Sequence, residues 1–156
     1  ERCLKIQNSK LPTILKLFLK REEFCIFASM KKVISTQDAP LAIGAYSQAV
    51  LVDGILYISG QIPINPENGN LVEGIEKETH QVMKNLKAIL HGAGLDFSNV
   101  VKTSIFLTDM KNFPLVNDIY ASYFSDDDYP ARETIQVAAL PKGVSVEISM
   151  IAHTKI

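Results

Sequence analysis

Thiols are almost missing from this chain: only Cys3 and Cys25 occur among 156 residues, and both precede Met30. A disulfide-built fold is therefore excluded for everything after Met30. Histidine is scarce as well. His80, His91 and His153 stand apart from one another and from any Cys or Asp at a metal-gathering spacing, so neither a metal nor a cofactor is expected. No apolar run reaches the roughly 20 residues that span a bilayer, because Lys16, Lys20, Arg21, Glu22 and Glu23 interrupt the most apolar region. A soluble protein with no membrane partner is expected. Charge of one sign is lacking too: 16 basic and 17 acidic side chains leave a formal net charge of -1, with no summed field to draw in nucleic acid. G-x-G-x-x-G, G-x-x-x-x-G-K-[ST] and G-x-S-x-G are all absent, which removes the usual nucleotide-binding loops and the serine-hydrolase elbow.

What is present is an ordinary globular composition, 47% hydrophobic and 21% charged, at a length that suits one domain. Two unequal parts are visible. Residues 1–29 carry Arg2, Lys5, Lys10, Lys16, Lys20 and Arg21 against Glu1, Glu22 and Glu23, a local charge of +3 that leaves -4 for the rest. Leu11, Leu15, Phe18 and Leu19 fit one apolar helical face in that basic stretch. The readings open to it are an organelle-targeting peptide, a surface amphipathic helix or a loose extension. The location is accordingly cytoplasmic, or mitochondrial or plastidic if the segment is a targeting peptide. The folded domain is expected over 30–156.

Within that domain, SQAVLV and ILYIS flank Asp53-Gly54 and predict a hairpin. PINPENGN predicts an irregular surface connection. Val82, Leu86, Ile89, Leu90 and Ala93 follow helical spacing, with Gly92 and Gly94 ending the helix. VVKTSIFLT predicts a strand, with Val101, Thr103, Ile105 and Leu107 on one side. Asn112 is placed to cap a second helix with Pro114 in its first turn and Phe113, Val116, Tyr120 and Tyr123 or Phe124 buried. ETIQVAAL and SVEISMIAH, separated by Pro141-Lys142-Gly143, complete a β-β-α-β-α-β-β order. The expected class is α+β, a mixed sheet covered on one face by two helices.

The candidates for chemistry are few. Strand alternation puts Arg132, Thr134 and Gln136 on one polar face, and a planar guanidinium fork matches a carboxylate bidentately. A surface ion pair with Asp126, Asp127, Asp128 or Glu133 is the alternative. Glu147 lies on the polar side of SVEISMIA, where a carboxylate is usually just solvated. Tyr46, Ser59 and Gly60 flank the hairpin, and Gly60 would allow close approach. Asn117 is otherwise an ordinary helix residue.

Taken together, IGAYSQAV, YISGQIPINPENG, HQVMKNLKAILHGAGLDFSNVVKTSIFLTDM, FPLVNDIYASYF, YPARETIQVAALPKG and VEISMIA resemble the RidA/YjgF family across nearly all of residues 33–154. The resemblance implies a chorismate-mutase-like protomer and a homotrimer with active sites in clefts between subunits. It implies a deaminase that hydrolyses reactive 2-imino and enamine acids to 2-keto acids and ammonia. Arg132 would clamp the substrate carboxylate and Glu147 would position or activate water. Tyr46, Ser59, Gly60, Asn117 and Thr134 would line the cleft, with Tyr46 from the neighbouring protomer or at its boundary. An endoribonuclease or translation inhibitor, and a non-catalytic trimer that binds small acids, are the competing functions. One departure stands out: many family members follow the arginine with serine and then cysteine or threonine, whereas this chain reads Arg132-Glu133-Thr134. A regular strand would turn Glu133 away from Arg132; an irregular one would let it pair with the guanidinium.

Overall fold

The computed structural model describes residues 31–125 and 128–154. The expectations for residues 1–29 lie outside them. The element order is β1 (Lys32–Ile34), β2 (Ala49–Val52), β3 (Ile55–Gln61), α1 (Ile75–Gly92), β4 (Val100–Leu107), α2 (Phe113–Ala121), β5 (Ala131–Gln136) and β6 (Val146–His153). The six strands form one sheet in the order β1-β2-β3-β6-β4-β5. All neighbours are antiparallel except β4 and β5, so the sheet is mixed. The sequence reading lacked β1, whose three residues are too short to show a period of their own.

Local chemistry accounts for the boundaries. Asp53 and Gly54 both take positive φ, 50° and 78°, the backbone of a two-residue turn whose twist matches its hairpin. Gly94, at φ 75°, follows α1, and the Leu95 amide donates back to the Leu90 carbonyl. The start of α2 differs from expectation. Asn112 makes no side-chain cap, and a short 3-10 turn over Met110–Asn112 leads into the helix with the Asp109 carboxylate accepting from the Lys111 amide at 2.9 Å. Pro114 sits in the first turn, as its missing N–H permits.

One core lies between the sheet and the two helices. Val82, Met83, Leu86, Ile89 and Leu90 of α1 and Val116 and Tyr120 of α2 pack with Leu56 and Ile58 of β3, Ile105 and Leu107 of β4, and Val146, Ile148, Met150 and Ala152 of β6. Val101 departs from the predicted buried side and is 44% exposed. The register slips between Val100 and Lys102 against β6, so the bulge makes Val100 the buried residue there. Among the described residues no helix lies on the other face of the sheet, which still exposes Val33, Tyr57 and Ile135.

Candidate functional site

The sequence candidates fall into two groups. Arg132 and Thr134 belong to β5, the edge strand, and Arg132 stands in register with Thr103 of β4, a fully buried residue on the helix-covered face. Its guanidinium lies 5.0 Å from the Tyr120 ring centroid and 5.7 Å from that of Phe113, both on α2. One guanidinium nitrogen, Nη1, donates to Asn117 Oδ1 at 3.0 Å. A second register of support comes from below, since the Tyr120 hydroxyl donates to Thr103 Oγ1 at 3.1 Å. Thr134 Oγ1 is buried without a hydrogen-bond partner and lines, with Arg132, Phe113 and Met110, a recess of about 320 Å³. A guanidinium that spends one donor on an amide oxygen and lies over two rings has further donors for an anion in the recess it lines.

Arg132 does not pair with Glu133. β5 is regular in its register with β4, and Glu133 turns to the opposite face, where its carboxylate binds the Lys102 ammonium and the Ser104 hydroxyl. These contacts hold its carboxyl below the ordinary range. The departure in the motif therefore leaves the guanidinium free of an acidic neighbour on its own strand. Asp126 and Asp127 lie outside the described residues.

The second group centres on β3 and β6. Between Ile58 and Gln61 the β3 strand takes three steps while β6 takes two, from Met150 to Ile148, and this bulge contains Ser59 and Gly60. The Glu147 side chain, one residue beyond Ile148 on β6, reaches back to it. An added Cβ on Gly60 would come within 2.7 Å of Glu147 Cδ, so glycine there is what makes room for the carboxylate. Partial burial raises the Glu147 pKa above the usual carboxylate value, and no described residue donates a hydrogen bond to it. Ser59 donates its hydroxyl to the Ser47 carbonyl at 2.7 Å, tying the hairpin to the loop that carries Tyr46. Tyr46 and Ser59 line one open hollow of about 570 Å³, with Lys31 and Tyr57 at its walls.

The two groups are separated within a protomer. Arg132 faces the helices, whereas Glu147 stands in register with Phe106 and alternates with the buried Val146 and Ile148, which places it on the uncovered face. Sequence reasoning missed the roles of Phe113 and Tyr120 beneath Arg132. Both had been read as core, and a ring that is buried on one side and carries a cation on the other shows the same helical spacing as one that is only buried.

The profile of the family described as Endoribonuclease L-PSP matches residues 36–154. A crystal structure of a protein of the conserved Rid family from Yersinia pestis matches at 57% identity and a TM-score of 0.78, over 80% of this chain and 99% of that one. The chain belongs to the RidA/YjgF family. Among its relatives is a Rattus norvegicus protein named 2-iminobutanoate/2-iminopropanoate deaminase, 56% identical over 124 residues, which are 79% of this chain and 90% of that protein. The E. coli protein TdcF, solved with bound serine, is similar at 39% identity and a TM-score of 0.75, over 78% of this chain and 98% of that one.

The bulge on this RidA/YjgF sheet yields a first prediction. On the expectation that Glu147 takes part in turnover, Gly60→Ala lowers kcat by roughly 10- to 100-fold, because displacing such a group by about 1 Å costs on that order. Gly60 has no positive φ, so the backbone accepts alanine. Thermal unfolding measured beside turnover is expected to change little; a wild-type kcat would mean that the Glu147 position is unimportant.

Proposed function

We propose that this protein hydrolyses reactive 2-imino acids such as 2-iminopropionate and 2-iminobutyrate to 2-keto acids and ammonia, using Arg132 of one protomer and Glu147 of a neighbour in a homotrimer. The single observation that carries the two-protomer reading is the placement of Arg132 and Glu147 on opposite faces of one sheet. A site that needs both must draw them from different copies. The uncovered sheet face supports this, since Val33, Tyr57 and Ile135 are too exposed for a lone protomer to leave without consequence. Substrate identity is supported by the deaminase relatives and by the small amino acid seen in TdcF.

The chemistry needs little more than position. Arg132 takes the substrate carboxylate into its fork, and the Thr134 hydroxyl, unpartnered in the same recess, gains a polar contact. Glu147 in its ionised form accepts a proton from water as the oxygen bonds to the carbon of the protonated imine, C=NH2+, and the C=N electron pair moves to nitrogen. The same carboxyl then returns the proton to that nitrogen. The C–N bond breaks as the hydroxyl oxygen forms the C=O, its proton leaving with ammonia as ammonium. A guanidinium stays protonated at neutral pH, so the base must be the carboxylate.

The test is release of keto acid from freshly generated 2-iminopropionate above its spontaneous hydrolysis, together with the mass in solution. Acceleration by a species of three chains is expected; no acceleration would overturn the reading. Because burial raises the Glu147 pKa and the ionised form is the active one, kcat falls as pH drops through a value above the roughly 4.3 of a free glutamate. An acid limb at or below that value would contradict the assignment.

A further inference from the structure

Glu78 is a carboxylate with only 7% of its surface exposed, and no basic side chain among the described residues forms an ion pair with it. Both of its oxygens are engaged by one residue 67 positions away: Oε2 accepts from the Ser145 amide at 2.8 Å and Oε1 from the Ser145 hydroxyl at 3.1 Å. Ser145 is also gripped from the other side, since its carbonyl accepts from the Thr108 amide at 3.1 Å. It is the residue immediately before β6, just after the Lys142 and Gly143 turn, where both residues have positive φ. Two residues farther along the chain, within β6, is Glu147.

We infer that Glu78 is a positioning residue for the deamination, a clamp from the first turn of α1 that fixes where β6 begins and so fixes the Glu147 carboxylate against Gly60. The inference rests on the role proposed for Glu147. A buried charge with no ionic partner is costly, and a loop could be tied to a helix by neutral groups. A carboxylate, however, is acceptor-only at both oxygens, so it receives the amide and the hydroxyl of one residue together and admits a single orientation of Ser145. The first turn of a helix is also where a negative charge is best tolerated. Among the described residues the Glu147 side chain has no hydrogen bond to hold it, which leaves its place to be set through the strand.

Glu78 acts on the water-directing arm and leaves the Arg132 arm untouched, so its loss separates kcat from KM. In the full-length protein assayed with 2-iminopropionate, Glu78→Ala lowers kcat by about 10- to 100-fold while KM stays within about twofold, the size of effect expected from an ångström-scale misplacement. Glu78→Gln, which keeps one acceptor oxygen, recovers kcat to within about threefold of wild type. Adding Glu78→Ala to Glu147→Gln lowers kcat no further than Glu147→Gln alone, because residues that act through one another are not additive. Should Glu78→Ala fail to fold, Glu78→Asp carries the same test, keeping the charge but falling one methylene short of Ser145. A wild-type kcat in the folded variant, a KM that rises in step with any loss, or full additivity with Glu147→Gln overturns the inference. Wild-type protein without deaminase activity, or Glu147→Gln with full activity, overturns instead the function on which it rests.

Discussion

Replacing Arg132 with alanine is expected to lower kcat/KM for 2-iminopropionate by roughly 1000-fold, about 4 kcal/mol of lost transition-state binding. The magnitude follows from what is removed: two parallel charge-assisted hydrogen bonds to a carboxylate, each contributing about 1.5–3 kcal/mol. Most of the loss is expected in KM, since the carboxylate is held before and during the reaction alike. Arg132→Lys keeps the charge but neither the fork nor the flat face that lies over Tyr120 and Phe113, so it recovers only part of the activity. The fold is indifferent, because Arg132 is exposed on an edge strand and outside the core. Steady-state kinetics with 2-iminopropionate decide the matter. Arg132→Ala with kcat/KM within threefold of wild type would remove the carboxylate clamp from the account.

Glu147→Gln has the opposite signature. It preserves size and removes the base, so kcat falls by about 10²- to 10⁴-fold while KM stays close to wild type. Stability moves the other way. A glutamate whose folded pKa is raised favours the protonated form in the fold, so its contribution is present at low pH and turns unfavourable as pH rises through the unfolded and then the folded value. At neutral pH the native state carries that charge at a cost that glutamine does not incur. The melting temperature of Glu147→Gln at pH 7 is therefore expected to equal or exceed that of the wild type, and the difference to shrink at pH 4. Lower stability at neutral pH would show that Glu147 is a structural group and not a catalytic one.

The fold was legible where the sequence has period and punctuation. The α1 spacing from Val82 to Leu90, the Asp53-Gly54 turn and the alternation in β6 each specify one local structure, and each is found. Failures occurred where geometry is set by a neighbour. Val101 reads as a core strand residue, yet the slip of β4 against β6 turns it out. Asn112 is a good capping type, but Asp109 three residues earlier starts a tighter turn first. The site divides the same way. Residue identities came from the family pattern, and alternation correctly turned Glu133 from Arg132. Nothing in a linear pattern says that β5 and β6 present Arg132 and Glu147 to opposite sides of one sheet. That depends on β4 lying between them, parallel to one and antiparallel to the other.

This separation gives the most direct measurement. With substrate well below KM, Arg132→Ala and Glu147→Gln are each expected to be at least about 100-fold slower than wild type, and the two variants can be co-expressed with different tags and the mixed oligomer purified through both. If each site joins Arg132 of one protomer to Glu147 of another, every mixed trimer contains one intact site in three and recovers turnover of about a third of the wild-type value per site. If the mixture stays as inactive as its parents, both residues serve within one chain, and the two-protomer site is wrong.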